Sequence, residues 1–132
     1  LIHDWESRLS SEGTLLDVLL QYLPMDQLRQ RDLRVWVAFY NRSLVDEEAA
    51  AYIRKFYAEA KNKLSEYLVT YEGKPKKDAE EITIAIQTAV DGLAFRALGD
   101  LESWPPQKQK AQLEATVNRL INPDAANRPY RE

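Results

Sequence analysis

The chain has 132 residues, 45% hydrophobic and 30% charged, the balance of one folded domain with a buried core, which excludes a disordered or collagen-like chain. Its 18 Lys and Arg stand against 21 Asp and Glu, a net charge of -3; phosphate binding needs a concentrated basic excess, so a nucleic-acid binder acting alone is excluded. Cysteine is absent, which removes disulfides, thiolate metal sites and Cys nucleophiles.

No uninterrupted apolar run approaches the roughly 18 residues of a membrane span, and the N-terminus lacks a basic-then-apolar signal pattern, so no membrane association is expected. The chain opens on Leu1 and its one Met is Met25, the mark of a piece of something longer. Residues 2–10 read as the tail of a preceding helix, with Ile2, Trp5 and Leu9 on one side. In residues 14–23, Leu15, Leu16, Leu19, Leu20 and Leu23 form the stripe of an amphipathic helix, capped by Thr14 with Asp17 three residues on and stopped by Pro24.

From Asp32 to Leu44 the chain is apolar on nearly every side between Val35 and Tyr40, which predicts a helix in the middle of the domain. A buried strand is the alternative; helix is preferred because no second strand candidate exists to satisfy its backbone. Residues 47–72 form the longest helix, with Ile53, Phe56, Ala60, Leu64, Tyr67, Leu68 and Tyr71 at helical spacing, Asp46 as cap and Gly73 as stop. GKPKKD, residues 73–78, is a loop. Asp78 is expected to cap the next helix, with Glu81 completing a capping box, and that helix runs to Leu98 before Gly99. Pro105 and Pro106 open a last helix whose buried stripe is Leu113, Val117 and Leu120. Residues 123–132 read as a flexible tail after a domain spanning 1–122. The expected fold is all-α, a helical bundle of about five to six helices.

Enzyme chemistry fails for want of parts. His3 is the only histidine, so neither a Ser-His-Asp triad nor a helical di-metal site is built, and no Gly-rich phosphate loop is present; a terminal, solvated His3 is the plainer reading. Glu47/Glu48 and Glu80/Glu81 are explained by the positive ends of their helices. No cofactor or metal is expected, and the chain reads as no enzyme.

Aromatic residues carry more. Trp36, Phe39 and Tyr40 on one helix and Tyr52, Phe56 and Tyr57 on the next either fill the core or line a pocket, with Asn41 and Arg42 available as polar groups. On the helix after residue 78, Ile82, Ala85, Ile86, Ala89, Val90, Leu93 and Ala97 make a core arc. Glu80, Thr83, Gln87 and Asp91 make a polar side, which Ile84 and Phe95 interrupt. Exposed, these two would each forfeit about 1.5 to 3 kcal/mol of burial, so a partner, a ligand or a neighbouring helix covers them. Gly92 beside them costs the helix about 1 kcal/mol relative to Ala, which close helix approach would explain.

Three stretches in register carry a family resemblance over roughly residues 14–122. LPMDQLRQRDLRVWVAF, residues 23–39, resembles the segment joining two ligand-domain helices in TetR-type transcriptional regulators of the BetI-like branch. AVDGLAFRAL, residues 89–98, is similar to the family's Val-Asp-Gly-Leu helix, and WPPQKQKAQLEATVNRLI, residues 104–121, to its Pro-Pro-initiated last helix. The resemblance implies a C-terminal regulatory domain of a cytoplasmic repressor, with a small-molecule effector among Trp36, Phe39, Tyr40, Tyr52 and Phe56. It further implies a homodimer through Ile84, Thr88, Asp91, Gly92, Phe95, Leu113, Val117 and Leu120. The family's helix-turn-helix is missing from this sequence, so operator DNA would be met only through that absent N-terminal domain. The competing expectation is a stand-alone helical protein-interaction module with the Ile84/Phe95 stripe as its groove.

Overall fold

The structure, a computed structural model, describes residues 14–126. The expected helix over residues 2–10, His3 and the end of the expected tail lie outside the described residues. All regular structure among the described residues is helical: α1 Leu15–Leu20, α2 Gln27–Ser43, α3 Glu47–Glu72, α4 Lys76–Gly99, α5 Pro106–Ile121 and the single turn α6 Pro123–Ala126.

Thr14 caps α1 in a capping box: its hydroxyl accepts from the Asp17 N–H at 3.2 Å and the Asp17 carboxylate accepts from the Thr14 N–H at 3.1 Å. The helix stops at Leu20, short of the expected Leu23. Gln21, Tyr22 and Leu23 each donate to the carbonyl three residues back, which tightens the chain out of α geometry before Pro24. α2 begins at Gln27 rather than Asp32, because Asp26 accepts the Arg29 N–H at 2.8 Å and caps the helix earlier.

α3 matches its expected bounds. Asp46 accepts from the N–H groups of Glu48 and Ala49. Gly73, at φ 64, turns left-handed so that its own N–H and that of Lys74 both reach the Leu68 carbonyl, a conformation that Gly adopts without strain. Its 26 residues span roughly 39 Å. The expected Asp78 cap does not form. α4 starts at Lys76 behind Pro75, whose φ of -58 already directs the chain into the helix and whose carbonyl accepts the Ala79 N–H at 2.8 Å; Asp78 sits inside the first turn. Pro105 and Pro106 open α5 as expected.

α4 is the axis of the domain, with α3 along one flank and α5 along the other; α2 packs on α3 and touches α4 only lightly, and α1 rests on α5. At 24 residues and a mean hydropathy of 1.2 over its most apolar stretch, α4 meets the length and composition of a membrane-crossing helix, and here it packs as the core helix of the bundle. Leu23, Leu68 and Ile86 are fully buried, joined by Val18, Leu64, Val90, Leu113 and Val117.

The polar side of α4 overturns expectation. Thr83 is fully buried and accepts the Ser65 hydroxyl at 3.2 Å. Gln87 donates to the Tyr57 carbonyl at 3.4 Å and Asp91 accepts the Tyr57 hydroxyl at 2.6 Å. Spaced four apart, Thr83, Gln87 and Asp91 share one face, and that face is the seam with α3, where each finds a partner. α2 departs in the opposite sense. Only Leu33 is buried on it and Val35 is 66% exposed, so α2 runs along the outside of the domain rather than through its middle. Gly92 has open space where a Cβ would stand, so no close approach within the protomer explains it.

Gln109, fully buried on α5, ties distant segments by donating to the carbonyls of Pro24 at 3.3 Å and Trp104 at 2.8 Å. Core and surface should separate cleanly under mutation. Leu68→Ala is expected to cost about 2 to 5 kcal/mol, whereas Val45→Ala, at a site 91% exposed, should stay within about 0.5 kcal/mol; urea-denaturation midpoints of the two variants check this.

Candidate functional site

Because α2 lies on α3 but barely reaches α4, a cavity of about 490 Å³ opens between them. Helical spacing selects its walls. Asp32 with Trp36, and Val35 with Phe39, point from α2; Tyr52 with Phe56 from α3; Asp91 with Phe95 from α4, each pair four apart and on one face. Leu33, Arg29 and Ala94 complete the sides, with Gln21 and Tyr22 from the turn after α1.

The aromatic wall is continuous. Tyr52 meets Phe39 edge-on with centroids 5.3 Å apart, Phe39 stacks at 6.3 Å from Trp36, Trp36 lies 4.8 Å from Phe56, and Phe56 lies 5.3 Å from Tyr57, within the range of favourable ring pairs. Of the aromatics expected to line a pocket, Trp36, Phe39, Tyr52 and Phe56 do. Tyr40 does not: its ring turns away and meets the edge of Phe95 at 6.4 Å. A smaller cavity of about 60 Å³ lies beside it between α1, α3 and α4, and it shares Tyr22, Phe56 and Asp91 with the larger one.

Residues expected at a subunit interface divide into groups. Ile84, 50% exposed, and Phe95, 40% exposed, share an open face of α4 with Thr88 and Gly92. Leu113 and Val117, at 1% and 5% exposure, are spent in the protomer's own core. That is the buried stripe their spacing predicted, and it leaves little of either side chain for the partner contact that the family resemblance implied. Leu120 is half-buried against that core. Asp91 is corrected: it faces α3 and the cavities rather than the open side of α4.

The profile of the BetI-type transcriptional repressor C-terminal family matches residues 12–122. The chain belongs to this family. A solved structure of a transcriptional regulator from Rhodococcus sp. Rha1 is similar to it, at 27% identity and a TM-score of 0.81 over 92% of this chain and 79% of that one. No curated protein matches. The all-α bundle is thus a TetR-type C-terminal regulatory domain of a transcriptional regulator, and the family is not an enzyme class.

In this BetI-type domain the polar groups at the cavity are few and mostly engaged. Arg29 donates from Nε to the Asp26 carboxylate at 2.8 Å and from a terminal nitrogen to the Leu20 carbonyl at 3.1 Å, pinning the turn after α1 to α2. Asp32 pairs loosely with Arg31 at 3.5 Å. Burial raises the Asp91 carboxyl above its ordinary value, opposed by the Tyr57 hydrogen bond, and burial with the Asp91 contact pushes the Tyr57 phenol up. Sequence reading missed Asp91 as a cavity group. The signal was there in the spacing of Thr83, Gln87 and Asp91, but a polar stripe is the usual mark of a solvent face.

Asp91 gives a signed pH dependence. Its folded pKa lies above the ordinary 3.8, so its contribution to stability is fully present below that value and is lost as pH rises through the elevated one. Asp91→Asn lacks this loss. The stability gap between variant and wild type should therefore move in favour of the variant as pH rises from about 3 to about 7, measured by paired urea titrations; a constant gap would contradict the assignment.

Proposed function

We propose that the domain binds a small apolar effector in the cavity between α2, α3 and α4 and pairs with a second copy through the open face of α4. In this way it governs the operator affinity of a helix-turn-helix in the longer, cytoplasmic repressor. The observation that carries the effector half is the cavity, whose volume of about 490 Å³ falls in the range of about 300 to 1,000 Å³ typical of ligand sites, with mostly apolar walls, many of them aromatic, and few polar groups. Supporting the dimer half are Ile84 and Phe95, exposed together on a helix where Gly92 leaves open space. Residues 1–122 would form this regulatory unit, supported by the family match ending at residue 122, with 123–132 as its tail. The mechanism is population shift: the effector changes operator affinity only by its differential affinity for two arrangements of the paired domains.

Each half has its own test. The domain should sediment as a dimer at micromolar concentration, and Ile84→Asp should dissociate it while leaving the helical circular dichroism unchanged; a persistent monomer in the wild type would defeat the pairing. Phe95 is the poorer choice for this test, because it also lines the cavity. For the cavity, a neutral solvatochromic naphthalene dye should brighten on binding, and Trp36→Ala should weaken that binding by about tenfold, or about 1.4 kcal/mol. A dye that ignores the folded wild-type domain would count against the effector site.

A further inference from the structure

The larger and smaller cavities adjoin. Asp91 lines both, with Tyr22 and Phe56 as the other shared walls, so a molecule reaching into both would lie against these three side chains, of which Asp91 is the charged one. One oxygen of Asp91 accepts the Tyr57 hydroxyl at 2.6 Å; the other has no hydrogen bond among the described residues and is not sealed from solvent. A carboxylate held by one protein donor, with its second oxygen accessible beside largely apolar walls, can take a further donor from a ligand, and a charged donor makes the stronger bond.

The remaining electrostatics favour a cation. Arg29, the guanidinium of the lining, gives two of its donors to Asp26 and the Leu20 carbonyl, so its charge is partly matched, and an anion would also meet two carboxylates, Asp32 and Asp91. Trp36 and Phe56 are further walls of the larger cavity, and aromatic faces attract positive charge. Size then narrows the choice. The smaller cavity, about 60 Å³, has room for a group of a few heavy atoms, since about 10 to 15 Å³ in such measures admits one water.

We propose that the effector is a lipophilic amine carrying an N–H, its apolar body in the larger cavity, its ammonium on Asp91 and a small apolar N-substituent in the smaller cavity. The assignment rests on the effector reading of the cavity and names its ligand class. A fully alkylated ammonium keeps the charge but has no proton for Asp91, and a neutral ether of the same shape has neither.

The experiment compares three probes by isothermal titration against the wild-type domain: N-methyl(naphthylmethyl)amine, its N,N,N-trimethylammonium analogue, and naphthylmethyl methyl ether. The secondary amine should bind at least tenfold tighter than either of the others. Asp91→Asn should abolish the amine's preference over the ether when the two are compared on the same variant, whereas Tyr57→Phe, which keeps the carboxylate, should preserve that preference. Equal binding of amine and ether by the wild type, or tightest binding of the trimethylammonium probe, overturns the ligand class and leaves the cavity's role standing. Binding of the naphthalene dye with no binding of any of the three probes also overturns the ligand class alone. If neither the dye nor the probes bind, the effector site itself falls. Because the wild-type comparison decides the ligand class, misfolding of the Asp91 variant cannot protect the proposal.

Discussion

The seam between α3 and α4 carries a polar ladder, buried at Ser65 and Thr83 and part-buried at Tyr57, Gln87 and Asp91, and the rest of the domain is arranged around it. Ser65 to Thr83, Tyr57 to Gln87 and Tyr57 to Asp91 are hydrogen bonds between two long helices that otherwise meet through aliphatic side chains. Aliphatic packing alone tolerates sliding, since one Leu fills a groove much as another does. A buried hydroxyl or carboxylate that loses its partner forfeits about 1 to 3 kcal/mol, so the ladder admits a single register. With α3 and α4 locked, the position of every cavity wall on them is determined, from Tyr52 and Phe56 to Asp91 and Phe95.

α2 is placed by a different balance. It packs on α3, where Trp36 meets Phe56 and Phe39 meets Tyr52, and stands off α4, so much of its apolar surface faces a void or solvent rather than core. Val35 at 66% exposure and Leu44 at 70% show the cost of that stance. What offsets it is anchorage at the helix start: Asp26 caps the first turn, Arg29 clamps the preceding carbonyl of Leu20, and Gln30 reaches the Pro24 carbonyl at 3.4 Å. The helix is thus held firmly at one end and along one side, which leaves the cavity open without letting the wall collapse into it.

The helices were largely legible in the sequence because leucine spacing and capping residues are local signals. Thr14, Asp46, Gly73 and the Pro105-Pro106 pair each act within a few residues of themselves, and each does what its chemistry requires. Orientation was less legible, because it depends on which surface a helix meets. Thr83, Gln87 and Asp91 read as a wet face, and no local property of that stripe reveals that Ser65 and Tyr57 wait opposite. The aromatic run of α2 read as core for the same reason: hydrophobicity reports a preference for burial, and a cavity wall satisfies it only in part. Leu113 and Val117 were read from spacing as a buried stripe, as they are; the family resemblance also put them at a partner, and a stripe's capacity to bury surface does not say whether it does so against the same chain or another. Trp36, Phe39, Tyr52 and Phe56 were assigned to the cavity on family resemblance, whereas residue type alone left core and pocket both open.

Phe95 joins the two halves of the proposed function on one side chain. Rotation of about 100° per residue puts Ile84 between Asp91 and Phe95 on the α4 wheel, roughly 20° from each, so Phe95 shares the open face with Ile84 while its ring also reaches the cavity. It lines the cavity, is 40% exposed, and has the Tyr40 ring against its edge. An occupant of the cavity and a second copy on α4 would both press on this ring. Rotamers are discrete and packed interfaces switch rather than deform, so a ring touched from both sides is suited to couple them. Such coupling is reciprocal: whatever the effector does to the pairing of two copies, pairing does to the affinity for the effector by the same factor.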